Sequence, residues 1–442
     1  MITSRTASAA PSSAPDPARV PASGPFGRAT RLVCRECAAT YEIGARYACE
    51  ECFGPLEVGY ELGDVTRSEI ESGPLSMWRY APLLPVSTDP ELRPVDLSPG
   101  WTRLHRADRL AAALGMRRLW VKDDSGNPTH SFKDRVVAVA LCAARSLGLG
   151  TVACASTGNL AGAVAAAAAR AGLRSVVLVP ADLEAVKTLG ASVYGGTLVA
   201  VEGTYDDVNR LCSEVAFERP DWGFVNVTLR PFYAEGSKTV GYEVAEQLGW
   251  RLPEQVVSPI ASGSLLTKVD KAWRELTALG LVEPAPYKVF GAQATGCAPV
   301  SRAFAAGLDV VQPVRPSTIA KSLAIGNPAD GPYALDVVRR TGGAIADVSD
   351  EEVVEGIALL ARTEGIFAET AGGVTLAVLQ RLLSDGLADP DAETVLLNTG
   401  DGLKTLDALT GSGAVGASAT IGPSLAAFRA ATESIDREAG TS

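Results

Sequence analysis

The sequence predicts an α/β fold in which parallel sheets carry helices on both faces, divided into more than one structural unit. Three observations point to it. From about residue 100 onward, short β-branched runs alternate with helical runs of roughly 10–15 residues, the alternation that builds parallel sheets. The composition, 47% hydrophobic and 21% charged, is that of a globular enzyme. At 442 residues the chain is longer than a single hydrophobic core usually supports.

Taken in order, the first 28 residues, MITSRTASAAPSSAPDPARVPASGPFGR, are rich in Ala, Pro and Ser and cannot bury enough apolar surface to order themselves. They hold no apolar signal core, and their prolines spoil an amphipathic transit helix, so a disordered tail is expected. Residues 29–60 follow as a compact segment. Its two Cys-x-x-Cys pairs, Cys34/Cys37 and Cys49/Cys52, are separated by eleven residues and set among β-type residues, which suits a zinc ribbon. The alternative is a small ribbon held by packing alone. Either way its role is structural, because four thiolates leave no open position on a tetrahedral ion. Residues 61–100 read as a linker, in which ESGPLSMWRYAPLLP is either an arm over a neighbouring subunit or a loop packed on its own core.

The alternating pattern then begins. RLWVK leads to a helix from Ser131, TVACAS to a helix from Thr157, and SVVLVP to a helix over Leu183 to Gly190. After these come TLVAVEG, the helix YDDVNRLCSEVAF, QVVSPIA, the helix LLTKVDKAWRELTALG and YKVFGAQ, with ETVLLNTG as a last buried strand. The expected partition is a large domain over 101–134 and 251–410, a small domain over 135–250, and a tail over 411–442.

Composition also excludes. Net charge is −11, with 51 acids against 40 bases and no basic tract, so nucleic acid is not the expected partner. No apolar stretch approaches the roughly 20 residues that cross a bilayer. The eight cysteines make a poor disulfide framework for so long a chain, and a reducing, cytoplasmic setting is expected. His105 and His130 are the only histidines, so no histidine triad or dinuclear metal site is available. His130 either meets the substrate or orients its loop.

In open α/β sheets, ligands bind beyond the carboxyl ends of the strands, against helix N-termini. Four loops have that position. In DDSGNPTHSFKDR, Lys133 lies at a helix start, where the dipole favours the neutral, nucleophilic amine. In ASTGNLAG, Ser156 and Thr157 can cap the helix, Gly158 permits close backbone approach, and Asn159 is a side-chain donor. SPIASGSLLTK offers helix-start amides to a phosphate. NTGDGLK offers the hydroxyl of Thr399. Each loop also has a plain structural reading: a solvated lysine, a helix cap, a serine-capped turn, a strand end. Their order in the chain is what favours chemistry, since together they supply what pyridoxal phosphate needs.

With these loops, the stretches LRPFYAEGSKTVGYEVAEQLGW, QATGCAPVSRAF, TIAKSLAIGNPADG and RTEGIFAETAGGVTLAVL resemble the fold-type II pyridoxal-phosphate enzymes, the tryptophan synthase β-like fold, and among them the threonine synthases. The cysteine-pair segment is similar to one that precedes the core in a branch of that family. The resemblance spans roughly residues 31–410. It implies that Lys133 is the Schiff-base lysine and main acid/base, flanked by Phe132. It places Asn159 on the cofactor's 3-hydroxyl, the amides of Ala261, Ser262, Gly263, Ser264 and Leu265 on its phosphate, and Thr399 on its pyridine nitrogen. Ser156, Thr157, Lys238 and Arg230 are the implied substrate-binding residues. Cys34, Cys37, Cys49 and Cys52 are the candidate ligands of a structural zinc ion.

The implied reaction converts O-phospho-L-homoserine and water to L-threonine and phosphate, in a homodimer. Two departures stand out: Tyr233 occupies the position before Ala-Glu-Gly where many relatives carry a base, and ASGSL replaces a richer glycine/asparagine cradle. The competing reading keeps the fold and changes the reaction to β-replacement or β-elimination, as in cysteate synthase-like or threonine/serine dehydratase-like enzymes.

Overall fold

The computed structural model describes residues 24–156, 158–183, 185–410, 417 and 419–439. Thirteen strands lie in three sheets. The first sheet is the antiparallel ribbon β1 (Ala29–Cys34), β2 (Thr40–Tyr41) and β3 (Leu56–Tyr60), ordered β2-β1-β3. The chain next forms the antiparallel pair β4 (Arg103–Arg106) and β5 (Arg118–Asp123). Then come β6 (Thr151–Ala155), β7 (Arg174–Pro180), β8 (Thr197–Val201) and β9 (Trp222–Phe224), a parallel sheet ordered β8-β7-β6-β9. Finally β10 (Gln255–Pro259), β11 (Lys288–Ala294), β12 (Ile345–Val348) and β13 (Glu393–Asn398) join β4 and β5 in a six-stranded sheet ordered β12-β11-β10-β13-β5-β4.

The central strands are short and apolar because both faces are covered. Every residue of β6, β10 and β13 is buried. Strands β5 and β13 run in parallel register, Val121 beside Leu396, although 275 residues separate Asp123 from its partner Asn398. Strand β4, absent from the sequence reading, is antiparallel and caps the edge of an otherwise parallel sheet. It is too short and polar, Arg-Leu-His-Arg, to announce itself by periodicity.

The helices begin close to where expected: at Lys133 rather than Ser131, at Asn159 rather than Thr157, and at Ala185. The segment Met77–Leu83 packs on its own core, with Met77, Tyr80 and Leu83 fully buried and Arg79 and Tyr80 both bonded to Glu246. The tail expected over residues 1–28 ends earlier. Residues 1–23 lie outside the described residues, but the Phe26 ring sits 5.7 Å from that of Phe232 and so joins the core. Within the expected C-terminal tail, Leu425–Ala439 is helical.

Candidate active site

The helix Lys133–Ser146 starts where β5 ends, and buried charge fixes its first turn. Arg135, fully buried, donates to Asp124 at 2.7 Å and to Glu243 at 2.5 Å, and Lys122 reaches Glu243 at 2.6 Å. The Thr129 backbone N–H and hydroxyl both donate to the Asp134 carboxylate at 2.8 Å, and burial nevertheless raises that carboxyl to about 6. The Phe132 N–H donates to the Thr399 carbonyl at 3.0 Å, tying this turn to the end of β13. Lys133 is thereby held at a floor built from two strand ends.

Around it opens a cleft of about 520 Å³, lined among others by Phe132, Asn159, Tyr233, Glu369 and Thr399 and by the whole run Ala261 to Leu265. An adjoining space of about 900 Å³ shares Lys133 and Asn159 and adds Ser156, Asn226, Arg230 and Asp330. The Lys133 Nζ donates to the Tyr233 hydroxyl at 3.1 Å and lies 4.4 Å from the Phe132 ring centre. The surrounding walls strip water from this amine, although part of its surface opens onto the cleft. That desolvation lowers its pKa to about 8, while the Glu369 carboxylate pulls the other way.

Asn159 is buried at the start of its helix and donates to both Glu369 oxygens, at 3.0 and 2.8 Å. Its carbonyl Oδ1 is buried with no hydrogen-bond partner among the described residues. Preceding it, Gly158 has φ +125°, and a Cβ there would lie 2.2 Å from the Lys187 side chain, so only glycine fits. Ser156 spends its hydroxyl locally, accepting from Gly158 and Ala161 N–H at 2.9 and 2.8 Å. Thr157 lies outside the described residues.

On the far wall, the left-handed Gly263 (φ +94°) turns Ala261–Leu265 into the helix Ser264–Ala278, so helix-start amides face the cleft. The Ser264 hydroxyl is buried without a partner among the described residues, a further donor available to an anion. These groups fit a phosphorylated pyridine: a phosphate-sized cradle, an unsatisfied amide oxygen, a depressed lysine and the Thr399 wall.

Lys238 corrects the sequence reading. It is fully buried away from the cleft, ion-paired to Glu235 at 2.7 Å and Glu275 at 2.9 Å, and donates to the Leu83 carbonyl. A lysine so spent cannot reach a substrate anion. Arg230 does reach the adjoining space, where it pairs with Asp330 at 2.8 Å. His130 lines a separate cavity of about 660 Å³, and its carbonyl accepts from Asp401. Sequence reasoning missed Glu369, since a single acid before an apolar helix reads as an ordinary helix start. It also took Tyr233 only as a departure from pattern, whereas its hydroxyl meets Lys133.

The four ribbon cysteines gather apart from the cleft. Their sulfurs lie within 4.8 Å of one another, with Cys34–Cys52 at 3.5 Å, Cys37–Cys49 at 3.6 Å and Cys37–Cys52 at 3.4 Å. A tetrahedral zinc with Zn–S near 2.3 Å sets its sulfurs about 3.8 Å apart, so the cluster fits the ion.

The family model for pyridoxal-phosphate dependent enzymes matches residues 95–400. The threonine synthase of Methanocaldococcus jannaschii is 37% identical over 382 residues, covering 85% of this chain and 93% of its own length. That of Methanosarcina acetivorans is also 37% identical, covering 84% and 92%. The threonine synthase of Mycobacterium tuberculosis is 34% identical over 330 residues, covering 74% and 88%. Among solved structures, an L-serine ammonia-lyase from Rhizomucor miehei superposes with a TM-score of 0.61 at 21% identity, covering 72% of this chain and 98% of that one. Maize serine racemase does so at 0.56 and 21%, covering 68% and 88%. At such identity these two speak for the fold alone.

Proposed function

The chain belongs to the pyridoxal-phosphate-dependent enzyme family and, within it, to the threonine synthases, and from that premise we propose how its cleft works. It converts O-phospho-L-homoserine and water to L-threonine and phosphate. The observation that carries the reading is the convergence on one cleft of Lys133, Asn159, Thr399 and the run Ala261 to Leu265.

In this reading the amides of Ala261, Ser262, Gly263, Ser264 and Leu265, with the Ser264 hydroxyl, hold the cofactor phosphate. The unsatisfied oxygen of Asn159 would accept from the ring hydroxyl, Thr399 would serve the ring nitrogen, and Phe132 would help to hold the cofactor. Pyridoxal phosphate, when bound, supplies an electron sink for the carbon bearing the substrate amine. Lys133 does the proton work. Its depressed pKa keeps a usable fraction of the amine neutral near neutral pH, so that with the cofactor bound it would take the α-proton and return a proton to that carbon once water has added. The Tyr233 hydroxyl steadies it. A β-proton then leaves, phosphate departs from the γ-carbon, that carbon is protonated, and water adds at the β-carbon. Arg230 receives the substrate phosphate, and Ser156 and Thr157 are the proposed partners of the substrate carboxylate. The four cysteines hold a structural zinc. Among the described residues no helix is long and apolar enough to cross a membrane. A homodimer in the cytoplasm is the proposed assembly, supported by the family resemblance.

The test is to load the purified protein with pyridoxal phosphate, add O-phospho-L-homoserine, and follow phosphate and amino-acid product together. Threonine in step with phosphate, abolished in Lys133→Ala, is the expected outcome. Phosphate without threonine, or turnover of phosphoserine or threonine instead, moves the chain to the β-elimination or β-replacement reading.

A further inference from the structure

Among the side chains through which the cysteine ribbon touches the catalytic unit, Arg35 reaches nearest to the cleft. Arg35 sits inside the first Cys-x-x-Cys pair, between Cys34 and Cys37, and points away from the sulfurs. Its guanidinium lies 3.5 Å from the centre of the Tyr333 ring, 3.6 Å from an Asp330 oxygen and 3.4 Å from Glu57. The neighbouring Glu36 accepts from the Tyr333 hydroxyl, so both residues between these cysteines grip the same stretch.

Asp330 is the hub of that stretch. One of its carboxylate oxygens takes Arg35 and the other takes Arg230 at 2.8 Å. Its backbone N–H donates to the Ser262 carbonyl at 2.8 Å, and its carbonyl oxygen would lie 2.8 Å from a Cβ on Gly263. Asp330 therefore touches both the phosphate cradle and the cleft arginine. Glu57, on β3 of the same ribbon, pairs with Lys268 at 2.7 Å, one turn into the cradle helix.

We infer that Arg35 is a positioning residue for the active site: it holds Asp330 so that Arg230 faces the cleft with unspent positive charge. The charge count explains why. Two guanidinium groups share one Asp330 carboxylate, while Glu57 beside Arg35 is itself held by Lys268 and Lys271, so Arg35 draws on Asp330 and leaves Arg230 incompletely neutralised. Without Arg35, the carboxylate can swing wholly onto Arg230, forming a one-to-one pair that cancels that charge. An anionic group in the cleft then loses its partner. The inference rests on the reading of Arg230 as an anion receptor in a cofactor-bearing cleft.

The experiment uses full-length protein loaded with pyridoxal phosphate, which occupies the cradle, and inorganic phosphate as the probe. Calorimetric phosphate affinity, KM, kcat and melting temperature are compared for Arg35→Ala, Arg35→Lys, Asp330→Asn and the double variant Arg35→Ala/Asp330→Asn. Expected for Arg35→Ala is a weakening of phosphate binding and a rise in KM of about tenfold, the size of coupling seen between contacting charges, with kcat within about twofold. Arg35→Lys restores most of the affinity, and in the Asp330→Asn background the Arg35→Ala change adds nothing further. Unchanged phosphate affinity and KM in Arg35→Ala, or an equal loss in both backgrounds, overturns the inference; so does a fall in melting temperature alone. If Arg35→Ala does not fold, Arg35→Lys against Asp330→Asn carries the comparison through the same two readouts. Phosphate binding that weakens in Arg35→Ala, in a protein that leaves O-phospho-L-homoserine untouched, would sink the proposed reaction and spare this inference.

Discussion

Exchanging Glu369 for Gln is expected to make Lys133 a weaker base still, and the size of the starting effect follows from the cleft. Burial lowers Lys133 from 10.5 to about 8, which disfavours the charged amine by about 3 kcal/mol. At pH 7 the neutral fraction is then about 9%, against about 0.03% for a solvated lysine, a gain of roughly 300-fold in nucleophile. Glu369 opposes this, since a nearby carboxylate favours the ammonium. Removing its charge therefore lowers the folded pKa further. The sign is that of a base shifted down: reactivity is lost as pH falls through the folded pKa, and the window of loss lies near pH 8 in the parent and below it in Glu369→Gln. The assay is the rate at which cofactor-free protein captures pyridoxal phosphate, followed by visible absorbance across pH 6–11.5. A midpoint near 10.5 in the parent would refute the desolvation argument, and a midpoint that rises in the variant would refute the role given to Glu369.

Two further outcomes follow from the buried charges and the thiols. Arg135→Met leaves Asp124 buried without its cation and Glu243 with Lys122 alone, and is expected to cost about 3–5 kcal/mol, read by denaturant unfolding of the cofactor-free protein. Protein purified without chelator is expected to carry one zinc per chain by elemental analysis, and Cys37→Ser to lose it together with several degrees of melting temperature.

The alternation of strands and helices was legible because both faces of β6, β10 and β13 are buried, which compels continuous apolar runs. Strands β4, β9 and β12 were not legible. They are three or four residues long, and their pairing partners, not their own sequence, make them strands. In the cleft, Lys133, Asn159 and the Ala261–Leu265 turn were readable from strand-turn-helix junctions. Lys238 was misplaced for a physical reason: a lysine next to Glu-Gly-Ser looks solvated in one dimension, whereas Leu83 and Glu275, distant in sequence, close over it together with its own neighbour Glu235. Asp330 and Arg35 were invisible for the same reason, since their contact joins residues almost 300 positions apart.

The strand orders also dictate a schedule for synthesis. The four-stranded sheet draws all its strands from one continuous stretch and is complete once Phe224 has emerged. The six-stranded sheet is not: β5 waits for β13, whose Asn398 is the partner of Asp123. Until then a nascent chain leaves open the flank of β5 that β4 does not cover. Truncation between β9 and β13 therefore leaves a finished four-stranded sheet attached to an open sheet edge, the kind of species that chaperones hold and proteases clear. For this chain, the last strand decides whether the first ones were worth making.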